Sequence, residues 1–300
     1  MSALLGNPMV VTAALPLLLG VVMGLLARSA LPASVLFLLW AALLLFFYRD
    51  TLGPPVVPPV AASQKLIYLA FAGIVLGLLS EYLFERLGTG AARALVAVAL
   101  VAAFSWLGWR RIAGGALDLQ MIAAIATGLL ATIGAALLAP PRASPLPRAE
   151  EPFLVPAAIL ALCLAGAIIS VLGASIVTGQ LLGSLAALAG GWCLIQYIAV
   201  LRGGEAVALS RGTGLSLIHA GATVLIQVAL LAPKANPAAL VLSSLPPIVA
   251  ALVQGPLQGF VPGARPLRPL VAGLLIAMPA MLAILTALVW APHGAALGFS

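Results

Sequence analysis

Charge is scarce in this sequence: 7% of its 300 residues are charged, 14 basic against 7 acidic. A soluble domain carries about 25%, so a water-facing surface cannot be assembled from this inventory. Cysteine is nearly absent. Cys163 and Cys193 both fall within apolar runs, which excludes a disulfide framework and leaves them as small packing residues. The two histidines, His219 and His293, are far apart and form no H-E-x-x-H pair, so a zinc-peptidase helix is excluded and paired haem ligation has no support. Paired membrane aspartates for an aspartyl protease are missing. Ser216 and His219 share a helix face, but no third group orients them as nucleophilic catalysis requires. No polar loop is long enough to hold a soluble catalytic domain. The expectation is therefore a chain with no catalytic residues, no metal and no cofactor. Met1 to Met9 has no Lys or Arg and so lacks the positive start of a secretory signal, which makes residues 8–27 an expected retained helix.

What the sequence has in abundance is apolar length, with 64% hydrophobic residues. Crossing a ~30 Å hydrocarbon core takes roughly 20 apolar residues in a helix, or about 10 alternating residues in a barrel strand. The runs here are long, continuous and rich in Leu and Ala, which predicts helices at 8–27, 32–48, 65–86, 91–109, 117–139, 153–173, 175–200, 209–231, 237–260 and 268–290. The expected fold is an all-α integral membrane protein, a polytopic bundle of about ten transmembrane helices. Lipid is its first partner.

The net charge of +7 is no nucleic-acid signal. Basic residues stand singly or in pairs at the ends of apolar runs (Arg49, Arg86, Arg110 with Arg111, Arg202), where they mark membrane interfaces and not a phosphate-tracking surface. Alternating ten helices collects Arg28, Arg86, Arg93, Arg142, Arg148, Arg202, Arg211, Arg265 and Arg268 on one side. Arg49, Lys65, Arg110, Arg111 and Lys234 fall on the other. The positive-inside rule then puts both termini on the extracytoplasmic face, and the expected location is a bacterial inner membrane.

The Pro-rich polar segment 140–152 sits near the midpoint and divides the chain into a first five-helix half, 1–139, and a second, 153–300. Two repeats of opposite topology are a common transporter plan. In this layout the chain resembles the drug/metabolite transporter superfamily, with LPPIVAALVQG at Leu245 to Gly255 as the nearest local likeness. The first helix lacks that superfamily's Trp-Gly signature, and its usual glutamate after the fourth or ninth helix is missing, so the likeness is confined to layout.

Within lipid the informative residues are the polar ones, since each needs a reason to be there. In the eighth run Gly212, Ser216, His219, Thr223 and Gln227 fall within an arc of roughly 80° at about 100° per residue. That stripe reads either as interhelical glue, at about 0.6 kcal/mol per contact, or as the wall of a substrate or proton path with His219 near its centre. In the ninth run Ser243 and Ser244 precede Pro246 and Pro247, a helix break that frees backbone carbonyls, with Gln254 beyond it. Gln180 lies on a weaker polar edge of the seventh run, beside the close-packing pair Gly179 and Gly183. Glu81 is the most deeply placed carboxylate, either partnered by an arginine such as Arg93 or serving as a proton or cation site.

Two functions lead on the sequence, with an intramembrane enzyme acting on lipid-soluble substrates as a third that the sequence leaves open. One is a secondary transporter or permease for a small molecule or ion, with a polar path along the eighth helix. The other is a non-catalytic membrane subunit or scaffold of a larger complex, with a second copy or other membrane subunits as partners.

Overall fold

The computed structural model describes residues 10–29, 31–115, 117–139 and 149–290. Linker residues 140–148, with Arg142 and Arg148, lie outside the described residues, as does His293. Among the described residues regular structure is helical throughout, without a strand.

A π-type turn, Val10–Ala14, leads into α1 (Leu15–Leu26), followed by α2 (Ala33–Leu52). Next come α3 (Ala62–Leu83) and α4 (Gly88–Ala113). The remaining helices are α5 (Leu119–Leu138), α6 (Glu151–Leu172), α7 (Ile176–Leu201), α8 (Arg211–Leu231), α9 (Pro237–Ser243), α10 (Pro246–Val253) and α11 (Leu267–Trp290), with a 3-10 turn at Pro256–Phe260. Eight helices are long and apolar enough to cross a membrane, namely α2 to α8 and α11. Two further apolar segments, Val10–Leu26 and Pro237–Val253, are shorter.

Helix starts are set by local chemistry. The Asp118 carboxylate accepts from Met121 N at 2.7 Å, Asn236 Oδ1 from Ala239 N at 3.0 Å, and Ser210 Oγ from Thr213 N at 3.2 Å. Each satisfies an N–H that the first helical turn would leave without a partner. Between α2 and α3 the Pro-rich stretch is tied back by Tyr68, whose hydroxyl donates to Val56 O at 2.8 Å.

The α3–α4 connection has no loop. Helical hydrogen bonding runs through it, and the chain turns at Gly88, whose φ of 75° and ψ of 165° lie where only glycine is comfortable. The two helices then fold back as a hairpin. Lys65 near the start of α3 donates to Trp106 O near the end of α4 at 2.7 Å, and its ammonium stands 5.4 Å from the Trp106 ring centre.

The hairpin packs on α8, which is the axis of the bundle. Every residue from Gly212 to Leu230 is buried, with α3, α4, α5 and α6 as principal neighbours. Helices from the two ends of the chain interleave, since α1 packs on α7 as α3 and α4 pack on α8. At its start α6 is tied to α11 by an ion pair between buried Glu150 and Arg268, Oε2 to Nε 2.7 Å. The outside of the bundle is aliphatic: Leu38, Val98, Leu129 and Leu285 are each more than half exposed. A patchless soluble surface does not look like this; a lipid-facing one does.

Candidate functional site

The polar stripe of α8 faces α3 along a glycine seam. A Cβ on Gly73 would lie 2.8 Å from His219 Nδ1, and one on Gly77 would lie 2.5 Å from Gly212 O and overlap Ser216 Oγ. The reverse also holds, since a Cβ on Gly212 would be 2.6 Å from Gly77 O. The two helices therefore touch backbone to backbone, which small residues permit in membranes. They run antiparallel: Gly73 lies beside His219, whereas Gly77, one turn further on, lies beside Gly212 and Ser216.

Four polar groups are brought together on this seam. Glu81 Oε1 accepts from Gly212 N at 2.6 Å, so a carboxylate from α3 caps the first turn of α8. One partner of Glu81 is thus a backbone amide. Ser216 Oγ is within donating distance of Gly212 O at 2.8 Å and Gly73 O at 3.0 Å, with one proton to share between them. His219 is 1% exposed, and its buried Nδ1 has no hydrogen-bond partner among the described residues. Glu81 and His219 are separated by roughly 11 Å along the seam, taken at about 1.5 Å per residue.

Thr223 and Gln227 continue the stripe toward the other end of α8. Thr223 Oγ1 donates to Ala220 O at 2.9 Å, and that same carbonyl accepts from Tyr48 OH of α2 at 3.2 Å. The Gln227 side-chain oxygen is buried without a partner among the described residues, as is Thr127 Oγ1 on neighbouring α5. A buried polar atom lacking a partner costs about 1–3 kcal/mol, so its persistence points to a use.

The end of α8 is held by α4 and α5. Gln120 Nε2 donates to Ala229 O at 3.1 Å and Ala232 O at 3.2 Å, and Arg111 Nη1 donates to Leu230 O. The Arg111 guanidinium also pairs with Asp118 at 2.9 Å. The hydrogen bond from Met121 N, and then Arg111, hold the Asp118 carboxyl below the usual carboxylate range.

The other expected residues lie off the seam. Gln180 on α7 is half-buried. Ser243 and Ser244 are fully buried at the break between α9 and α10. Their hydroxyls turn back on their own helix, Ser243 Oγ donating to Leu240 O at 2.8 Å and Ser244 Oγ to Val241 O at 2.7 Å. Pro246 deprives Leu242 O of its usual donor, and Leu245 N takes that place at 3.2 Å. Gly134 of α5 lies directly against the break, where a Cβ would be 2.7 Å from Pro247 Cβ. Gln254 caps the end of α10 half-buried, its N–H donating to Ala250 O at 3.2 Å.

Sequence reasoning missed Thr127 and the counterparts of the stripe on α3. Thr127 is one of only three polar side chains in α5, with Gln120 and Thr132, which was a readable signal. Pairing Gly73 with His219 needed the fold. No group of three His, Cys, Asp or Glu side chains that could hold a metal ion occurs among the described residues. No protein-family model, curated protein or solved structure matches the chain.

Proposed function

We propose that this chain is a ten-span secondary transporter for a small molecule or ion, its polar path following the α3–α8 seam. The observation that carries the reading is His219, an imidazole in the middle of a fully enclosed helix, with a buried nitrogen that lacks a partner among the described residues. Within lipid such a group is costly unless it exchanges protons or contacts a passing solute.

Helix direction supports ten traverses. In an alternating bundle α1 and α7 run the same way and α3 opposes α8. The contacts fit: Thr12 lies beside Gly183 and Gly24 beside Ile195, whereas Gly73 lies beside His219 and Gly77 beside Gly212, and the starts of α6 and α11 meet in the Glu150–Arg268 pair, as an even number of traverses between them requires. Val10–Leu26 and Pro237–Val253 then complete the eight longer helices; 17 residues reach about 25 Å, enough for a short or locally thinned span. In this reading Glu81, Ser216 and His219 form the half of the path nearest the start of α8, and Thr223 and Gln227 the other half. Closed as it is, the seam would represent an occluded state, and transport requires α3 to move on α8.

The test uses proteoliposomes loaded with buffer and bathed in a soluble-metabolite extract under an imposed pH gradient, read by untargeted mass spectrometry. At least one solute should accumulate with the wild-type protein and not with His219→Ala or with empty liposomes. Equal accumulation in wild-type and empty liposomes would sink the transporter reading. A particle far heavier than one or two copies of the 30.3 kDa chain on gentle extraction, with other polypeptides present, would favour the subunit instead.

A further inference from the structure

Arginines follow the ends of the parallel helices α1 and α7, Arg28 two residues beyond α1 and Arg202 at the cap of α7, and the helix ends leave a cavity of about 440 Å³ lined by Leu25, Arg28, Ile195, Ile198, Arg202 and Gly204. Cations are favoured at the carbonyl ends of helices, and here two of them share one cleft. Neither guanidinium is within ion-pairing distance of a carboxylate among the described residues.

Arg28 is held in place along one edge. Its Nη1 donates to Glu205 O at 2.8 Å and reaches Gln196 Oε1 at 3.5 Å. Gln196 is itself fully buried; its Nε2 donates to Gly24 O at 3.2 Å, and its Oε1 accepts from Val207 N at 2.9 Å. The opposite edge of the guanidinium has no acceptor among the described residues. It borders Gly204, where a Cβ would lie 3.5 Å from Arg28 Nη2, so the missing side chain keeps that edge open. Arg202 lines the same cleft with its side chain exposed and unbonded among the described residues. The remaining walls are aliphatic and belong to helices α1 and α7.

A clamped guanidinium with a free edge, a second guanidinium beside it and aliphatic walls below make an amphiphile site: phosphate above, hydrocarbon beneath. The arginine excess assigns this end of the bundle to the cytoplasmic leaflet, where anionic lipids concentrate. We infer that the α1–α7 cleft binds the phosphodiester headgroup of an anionic membrane lipid, with its acyl chains against Leu25, Ile195 and Ile198. The site is separate from the α3–α8 seam and rests on the ten-span topology of the proposed function but not on transport.

Native mass spectrometry of the delipidated full-length protein tests this, by titration with dioleoyl phosphatidylglycerol or dioleoyl phosphatidylcholine. The wild type should hold phosphatidylglycerol roughly tenfold more tightly, as one or two charge-assisted hydrogen bonds imply. Arg28→Gln/Arg202→Gln should abolish that preference, whereas Arg49→Gln/Arg110→Gln, which removes the same charge from the opposite end, should keep it. If the first pair does not fold, Arg28→Lys/Arg202→Lys retains the charge without the planar fork and should still lose several-fold. Equal binding of the two lipids, or a preference unaltered in either cleft variant, would overturn the site. Displacement of phosphatidylglycerol by low-millimolar sn-glycerol 3-phosphate would overturn the lipid as its source and assign the cleft to a soluble phosphate.

Discussion

The carboxylate of Glu81 at the end of α3 accepts a hydrogen bond from the backbone N–H of Gly212 in the first turn of α8, at 2.6 Å. One helix thus caps another across a seam where both backbones are bare. Glu81→Ala should lower stability by up to about 1 kcal/mol, the usual worth of an N-terminal cap. Glu81→Gln retains an acceptor and should lose less. Thermal unfolding in detergent separates them, and identical losses would mean that the hydrogen bond contributes nothing.

Three glycine substitutions should rank in a fixed order. Gly77→Ala meets the Gly212 carbonyl, which cannot rotate away, and should cost about 1–3 kcal/mol. Gly73→Ala meets the His219 side chain, which can shift, and should cost less. Nothing lies within 4 Å of a Cβ built on Gly90, so Gly90→Ala should be neutral or gain about 0.5–1 kcal/mol. Melting temperatures in one detergent provide the comparison. A Gly73→Ala protein less stable than Gly77→Ala would contradict the seam geometry.

The helical runs and the α9–α10 break were legible because apolar length and proline act locally, although the ninth run ends as an α-helix at Val253 and not at 260. The reversal at Gly88 was visible only as a gap between two runs, since φ is not written in composition. The polar stripe of α8 was legible as a periodicity, and its partners were not. Only the fold sets Gly73 and Gly77 against His219 and Ser216. Glu81 stood out by its charge, whereas the Gly212 N–H that it caps is a group nearly every residue carries and so marks nothing. The burial of Leu217, Ile218 and Val224 was likewise hidden, because lipid-facing and protein-facing residues have the same apolar identity.

Acidification should weaken the α4–α5 junction. The hydrogen bond from Met121 N, with help from Arg111, keeps the Asp118 carboxyl lowered in the folded protein. Its contribution is therefore complete above the ordinary aspartate value near 3.9 and is lost as pH falls through the lower folded value. Asp118→Asn keeps a capping oxygen but no charge. The gap in melting temperature between wild type and this variant should be constant above about pH 5 and shrink below about pH 4. A gap that does not change with pH would remove the ionic part of the argument.

The last turn of α8 depends on Gln120, whose amide donates to Ala229 O and Ala232 O. Gln120→Leu should speed amide exchange at Leu230 and Leu231 roughly five- to tenfold, the equivalent of about 1 kcal/mol of local opening. Exchange near Gly212, at the far end of the same helix, should not change. A uniform acceleration along α8 would instead indicate global loosening.

The enclosure of α8 also bears on how freely its sequence can drift. Lipid is a fluid and conforms to whatever apolar shape a helix presents, so α2, with 28% of its apolar window buried, and α11, with 33%, can exchange Leu, Ile, Val and Phe on their outer faces at little cost. For α8 the corresponding figure is 94%, and its surroundings are packed side chains that do not conform. Two segments of similar hydropathy therefore live under different rules, hydrophobicity alone on the periphery and volume and shape at the axis. Across descendants of this sequence, the periphery would keep its character while losing its spelling, and the axial helix would keep both.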